Sequence, residues 1–306
     1  MQQSRSSPAA GAGRFAFPAL IAGNLVLALG PWMVRLTDVG PVASGFWRVA
    51  LAIPFLALLA WRQQAGREAP PWSLVAIVAA GGLFFASDLA AWHFGIGLTK
   101  LANASLFGNA SSFVLVLYGF VMLRRLPRKV QALALLLAVA GTALLMGSSY
   151  ELSPKNFTGD LFCLAAGLLY TGYLIAVDRA RRTMAPMPVL AVATAAAALP
   201  LLLLALALGQ KVIPSDWTPL LILSFGSQVV GQGLLVYAVG HLSPVVVGLG
   251  LLAQPAAGAV IGRLAYGETF SLADGAGAAL IAVALVLIRL PERSPLPAGE
   301  REGPAA

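Results

Sequence analysis

The sequence is poor in charge. Of its 306 residues only 10% are Asp, Glu, Lys or Arg, while 59% are hydrophobic. A soluble domain carries about 25% charged residues. At a mean hydropathy of +0.84 this chain cannot cover its surface with polar groups, and its solvent is expected to be lipid. Cysteine is nearly absent. Cys163 stands alone, which excludes an intrachain disulfide and a cysteine metal cluster and reads as filler in an apolar helix. Histidine is limited to His93 and His241, and no HExxH, GxSxG or phosphate-loop run occurs. These gaps leave no catalytic residue, metal-ligand set or cofactor site to assign, and no motif for direct use of ATP. The net charge of +8 comes without a basic patch interleaved with aromatics, so no nucleic-acid partner is expected.

What the chain does have is apolar runs. They fall near 15–34, 41–60, 73–95, 101–123, 130–147, 158–177, 187–208, 217–239, 244–264 and 271–290. A helix crosses the hydrocarbon of a bilayer with about 20 apolar residues. The pattern therefore predicts an all-α polytopic membrane protein with ten transmembrane helices and very short loops. Arg5 and Arg14 precede the first run in the manner of a signal peptide. That run is long enough to span, and nine more follow it, so an uncleaved first helix is expected. The tail 291–306 is rich in Pro, Gly and Glu and reads as a disordered cytoplasmic end.

Charge in the loops gives a separate test of this layout. With residues 1–14 inside, fourteen of the 20 basic residues lie in cytoplasmic segments: Arg5, Arg14, Arg62, Arg67, Arg124, Arg125, Arg128, Lys129, Arg179, Arg181, Arg182, Arg289, Arg293 and Arg301. Five lie in outer segments (Arg35, Lys100, Lys155, Lys211, Arg263), and Arg48 lies within a span. That alternation is the positive-inside bias, and it places both termini in the cytoplasm of a bacterial-type inner membrane. Five runs precede a 148–157 external linker and five follow it. Because five is odd, the halves 15–147 and 158–290 enter from opposite sides and form inverted repeats, an arrangement secondary carriers use to flip access.

With that layout, the run Phe46-Trp47-Arg48 in the second span, and Gln254-Pro255 followed by Tyr266-Gly267-Glu268, resemble the EamA-type branch of the drug/metabolite transporter superfamily over about residues 15–290. The first half departs from the pattern, since its corresponding turn Arg124-Arg125-Leu126-Pro127 lacks the Gly-Glu pair. The resemblance implies a basket of helices around a central cavity and, often, export of amino acids or related metabolites.

Polar side chains in lipid are costly, so each calls for a reason. Asn109, Tyr170, Gln228, Gln232 and Gln254 fall near mid-depth, with Asn24 close by. Their amides and phenol would suit a zwitterion's ammonium and carboxylate; interhelical bonding is the other reading. Asp88, Trp92 and His93 cluster toward the outer end of the third span, as a cavity-facing group or as an interfacial one. Arg48 lies at a depth matching Asp88 on a neighbouring antiparallel span, which predicts a structural ion pair. A paired Asp88 is a poor proton carrier, so a facilitator driven by the substrate gradient is expected. Trp32, Tyr173 and Tyr237 offer an aromatic wall. Gly30, Pro31, Pro54, Pro200 and Pro255 interrupt spans as hinge candidates, although proline is common in membrane helices. Gly-rich faces could pack within the chain or between copies, so the oligomeric state stays open. The expected function is a secondary carrier of small polar metabolites, amino acids foremost, exporting by alternating access. Drugs, nucleosides or sugar derivatives are the alternative cargo, and a non-transporting scaffold or sensor is the rival class.

Overall fold

The structure is a computed structural model that describes residues 13–99, 107–124, 126–147, 154–266 and 271–288. These residues form helices and turns, with no strand among them. Six helices are long and apolar enough to cross a membrane: α1 (Gly13–Arg35), α2 (Pro41–Gln64), α3 (Trp72–Leu98), α6 (Pro154–Arg181), α7 (Pro186–Ala207) and α8 (Thr218–Val239). Four further helices hold shorter apolar stretches (Ala110–Met122, Lys129–Leu145, Pro244–Gly258 and Leu272–Leu287). They are α4 (Ala110–Leu123), α5 (Lys129–Gly147), α9 (Pro244–Leu251 continued by Ala253–Tyr266) and α10 (Leu272–Leu287). The turn Gly267-Glu268, Arg125, Lys100 and the two chain ends lie outside the described residues.

Local chemistry explains where helices begin. Proline opens α2, α6, α7 and α9 at Pro41, Pro154, Pro186 and Pro244, where its missing N–H costs nothing and its fixed φ suits the first turn. The start of α6 at Pro154 makes helix of residues 154–157, which the sequence reading had put in the linker; residues 148–153 lie outside the described set. Ser243 caps α9, and Ser271 with Asp274 forms a capping box on α10.

Three of the expected interruptions occur. Helix α1 breaks between Leu27 and Gly30, beside Pro31; α2 breaks between Ala50 and Ile53, beside Pro54; α9 breaks at Leu252, three residues before Pro255. Pro200 differs: α7 runs through it unbroken. Asn109 is the N-cap of α4 and follows directly on residues 107 and 108, which are helical too. Ser224–Gly231 itself holds no proline, the preceding one being Pro219 in the first turn of α8, yet there α8 widens into a π-helix.

The most extensive helix contacts recur when each helix is exchanged for the one five positions away. Helix α3 packs on α6, and α8 on α1; α6 packs on α4, and α1 on α9. The pairs α2–α7, α4–α9 and α5–α10 map onto themselves. Such self-mapping contacts are what a pseudo-twofold axis produces. At the α5–α10 crossing the reciprocity extends to single atoms. A Cβ on Gly141 would sit 2.6 Å from the Gly277 carbonyl and 2.9 Å from Ile281 Cγ1. A Cβ on Gly277 would sit 2.6 Å from the Gly141 carbonyl and 2.9 Å from Leu145 Cγ. Backbones touch there because neither residue has a side chain, the usual device where lipid supplies no hydrophobic drive between helices.

Loops tie the α2–α7 pair at both ends. Gln210, just past α7, accepts from Val42 N (3.0 Å) and Ala43 N (3.1 Å) in the first turn of α2. Gln63, at the far end of α2, accepts from Met187 N (3.0 Å) in the first turn of α7. Each helix thus caps the other's exposed N–H groups. Beside Gln210, Asp38 pairs with Lys211 and accepts from Ser215 N at 2.9 Å. At the Gln63 end, buried Arg181 donates to Val236 O (3.0 Å) and to Met184 O, fastening α6 to α8.

Candidate functional site

The motif Phe46-Trp47-Arg48 is divided between two jobs. Trp47 Nε1 donates to Val212 O at 2.7 Å and its ring meets Trp217 edge-on at 4.8 Å, bracing α2 against the α7–α8 loop. One residue on, Arg48 turns into the bundle. Its Nε donates to Gln228 Oε1 at 3.2 Å, and its guanidinium lies 5.6 Å over the Phe85 ring. Gln228 passes the contact along, with Nε2 donating to Thr194 Oγ1 at 2.9 Å. Gln228 and Thr194 are both fully buried, so each amide or hydroxyl needs a partner inside the protein.

A second group lies beside it. Tyr173 OH donates to Gln232 Oε1 (3.4 Å), and Gln232 Nε2 donates to Tyr170 OH (3.3 Å). Phe85 packs on both tyrosines, at 4.9 Å from Tyr173 and 6.3 Å from Tyr170. Residues four apart, as Gln228 and Gln232 are, share one face of a regular α-helix; here Gln228 belongs to the π-helix and Gln232 opens the α-helix after it. The wider turn aims them at different partners, Arg48 and Thr194 for one, the tyrosines for the other. Wide turns of this kind occur often at functional sites.

Asp88 sits on α3 on the same face as Gly81, Phe85 and Trp92, half-buried. Its charge and that of Arg48 act on each other through space. The expected direct ion pair is nevertheless not formed: Arg48 is bonded to Gln228, and among the described residues Asp88 has no hydrogen bond or salt bridge. The expectation of a facilitator rested on that pair and loses its support. His93 is buried against Gly45, where an added Cβ would come within 3.3 Å of Cε1; its Nδ1 has no partner among the described residues. Trp92 stacks beside it at 5.4 Å.

The remaining expected residues lie apart. Asn24 and Gln254 form a pair of their own, Gln254 Nε2 donating to Asn24 Oδ1 at 2.6 Å, with Asn24 Nδ2 bonded to Leu20 O at 2.8 Å. The aromatic wall is not assembled. Tyr173 belongs with Phe85 and Tyr170, Tyr237 stacks on His241 at 4.6 Å, and half-buried Trp32 shares no hydrogen bond with either group. Tyr237 instead borders an apolar groove of about 290 Å³ with Gln63, Met187 and Leu234. Thr194 and Phe85 were missed by the sequence reading. The available signal for Thr194 was a lone hydroxyl in the alanine-rich run 191–198. Phe85 carried none, being one apolar residue among many. No group of three potential metal ligands occurs among the described residues.

Two comparisons bear on identity. The profile of the EamA-like transporter family matches twice, at residues 15–147 and 157–290. The chain belongs to the EamA-like transporter family. It is a multi-pass membrane transporter, in keeping with its apolar helices and the repeated packing. A crystal structure of another protein superposes with a TM-score of 0.73 at 20% identity, covering 91% of this chain and 96% of that one, which shows a shared fold. No curated protein matches the chain.

Proposed function

We propose that this EamA-family transporter is a secondary carrier of small polar metabolites, amino acids foremost, that works by alternating access and exports across a bacterial-type inner membrane. The observation that carries this reading is the polar interior. Arg48, Asp88, Gln228, Thr194, Gln232 and Tyr170 come from five helices to one apolar bundle, the composition of a site that fixes a polar ligand. Isolated helix pairing would not require a charge of each sign there. Alternating access is supported by the pseudo-twofold packing and by ties at opposite ends of the α2–α7 pair. Export follows the habit of the family, and the cytoplasmic placement of both termini follows the loop charges.

The test is flux in proteoliposomes across a panel of L-amino acids, nucleosides and sugar derivatives, with and without an imposed proton gradient. Saturable flux of one or more amino acids that exceeds the other classes supports the reading. Preference for a nucleoside or sugar derivative replaces the cargo, and absence of any flux across the panel refutes the amino-acid reading.

A further inference from the structure

Arg48 and Asp88, a base and an acid, both lie in the interior and are not closed on each other. Arg48 spends only Nε on the protein, at Gln228; among the described residues its two Nη groups have no hydrogen-bond partner. Both Asp88 oxygens are equally without one. None of these atoms is among the buried, sealed and unsatisfied ones, a group that does include His93 Nδ1 and Ser224 Oγ. The two residues lie among the interior faces of α2, α3, α6 and α8, yet each is only half-buried. Half-burial at that place means that the free Nη groups and the carboxylate border room that no described residue fills.

An uncompensated charge in such surroundings is expensive. The protein holds Arg48 away from its natural partner by three contacts: the Gln228 bond, the Phe85 face, and Thr194 behind Gln228, which fixes the amide's orientation. A guanidinium fork held open is shaped for a carboxylate. A carboxylate without donors, close enough to feel the guanidinium, is shaped for an ammonium. We propose that Arg48 and Asp88 are the two anchors of a zwitterionic substrate, Arg48 receiving its carboxylate and Asp88 its ammonium. This rests on the amino-acid reading above and deepens it, naming which charge binds which end. It also revises the expectation that amides and a phenol orient the ligand. Gln228 and Thr194 are positioning residues that keep the fork turned toward the space.

The experiment uses the full chain in proteoliposomes and measures counterflow of L-leucine, L-phenylalanine and L-alanine. Each is competed with its decarboxylated amine and its deaminated acid. In the wild type at least one amino acid should compete better than both of its partial analogues, by about tenfold or more, because a site built for a polar group rejects ligands that lack it. Arg48→Gln should erase the preference over the amine and keep that over the acid. Asp88→Asn should do the reverse. If either variant fails to fold, Arg48→Lys and Asp88→Glu serve in its place, with discrimination at the same end of the ligand reduced rather than erased, because the charge stays and only its geometry changes. Equal competition by an analogue in every wild-type set, or variants that keep both preferences, overturns the anchor assignment while leaving transport intact. Absence of counterflow for all three amino acids, with flux of another cargo, refutes the amino-acid reading and the anchors with it.

Discussion

At the scale of single residues, the interior is a chain of dependencies. Gln228 stands between Arg48 and Thr194, and removing either neighbour leaves a buried amide atom unpaired. Thr194→Val should cost about 1 kcal/mol, within the range for an interhelical side-chain bond in a membrane protein. It should also lower transport, because the amide that aims Arg48 is then free to turn. Replacing Gln228 or Gln232 with Leu should cut flux with folded protein still in the membrane, whereas Gln254→Leu, which breaks the separate bond to Asn24, should act on stability first. Flux set beside thermal unfolding in detergent separates the two kinds of effect, and loss of fold in all of them would assign these residues to packing. Asp38 belongs to the surface. The Lys211 ammonium and the Ser215 N–H hold its carboxyl well below the usual carboxylate range. A lowered folded value means the tie is fully present above about pH 4, the unfolded value, and is lost as pH falls from there. The difference in unfolding temperature between wild type and Asp38→Asn should therefore be constant near neutrality and shrink only in strong acid.

At the scale of elements, the reciprocal caps and the reciprocal glycines make quantitative demands. Gln210 accepts two N–H groups at the start of α2, and Gln63 accepts one at the start of α7. Loss of a cap costs about 1 kcal/mol, so Gln210→Ala should destabilise by that order and Gln63→Ala by less, read by unfolding in detergent. Equal or absent effects would show that other groups satisfy those N–H bonds. At the α5–α10 crossing, Gly141→Ala and Gly277→Ala meet the same obstacle, a facing carbonyl and an aliphatic side chain. Each should destabilise by about 1–3 kcal/mol, the cost of forced overpacking. The two losses should be similar, and the double variant less than additive because the first alanine already spreads the pair. A tolerated Gly141→Ala beside a damaging Gly277→Ala would break the twofold account.

For the whole molecule, the test is topology. Reporters fused after Gly66, Arg128 and Arg182 should lie in the cytoplasm, and those after Ser153 and Gln210 outside. The end contacts agree with that alternation where they exist. Asp38 and Gln210 meet at one end of the bundle, and Gln63, Arg181 and Met187 gather at the other. One clear reversal among the five fusions would sink the ten-span arrangement.

The lipid solvent, the apolar helices and the two-part repeat are legible in the residues because each follows from local, additive quantities. Twenty apolar side chains in a row settle a crossing wherever the helix later packs. The same locality made Gly30-Pro31 and Pro54 visible as interruptions. Which polar group meets which is a different matter. Matching depth suggested that Arg48 would pair with Asp88, but depth fixes one coordinate and a contact needs the rotation of both helices. That rotation was decided by packing: glycines that let backbones close, Phe85 beneath the guanidinium, and a π-turn in α8 that no proline announced. It handed Arg48 to Gln228 and Thr194 and left Asp88 open, an outcome that exists only once α2, α3, α7 and α8 are assembled.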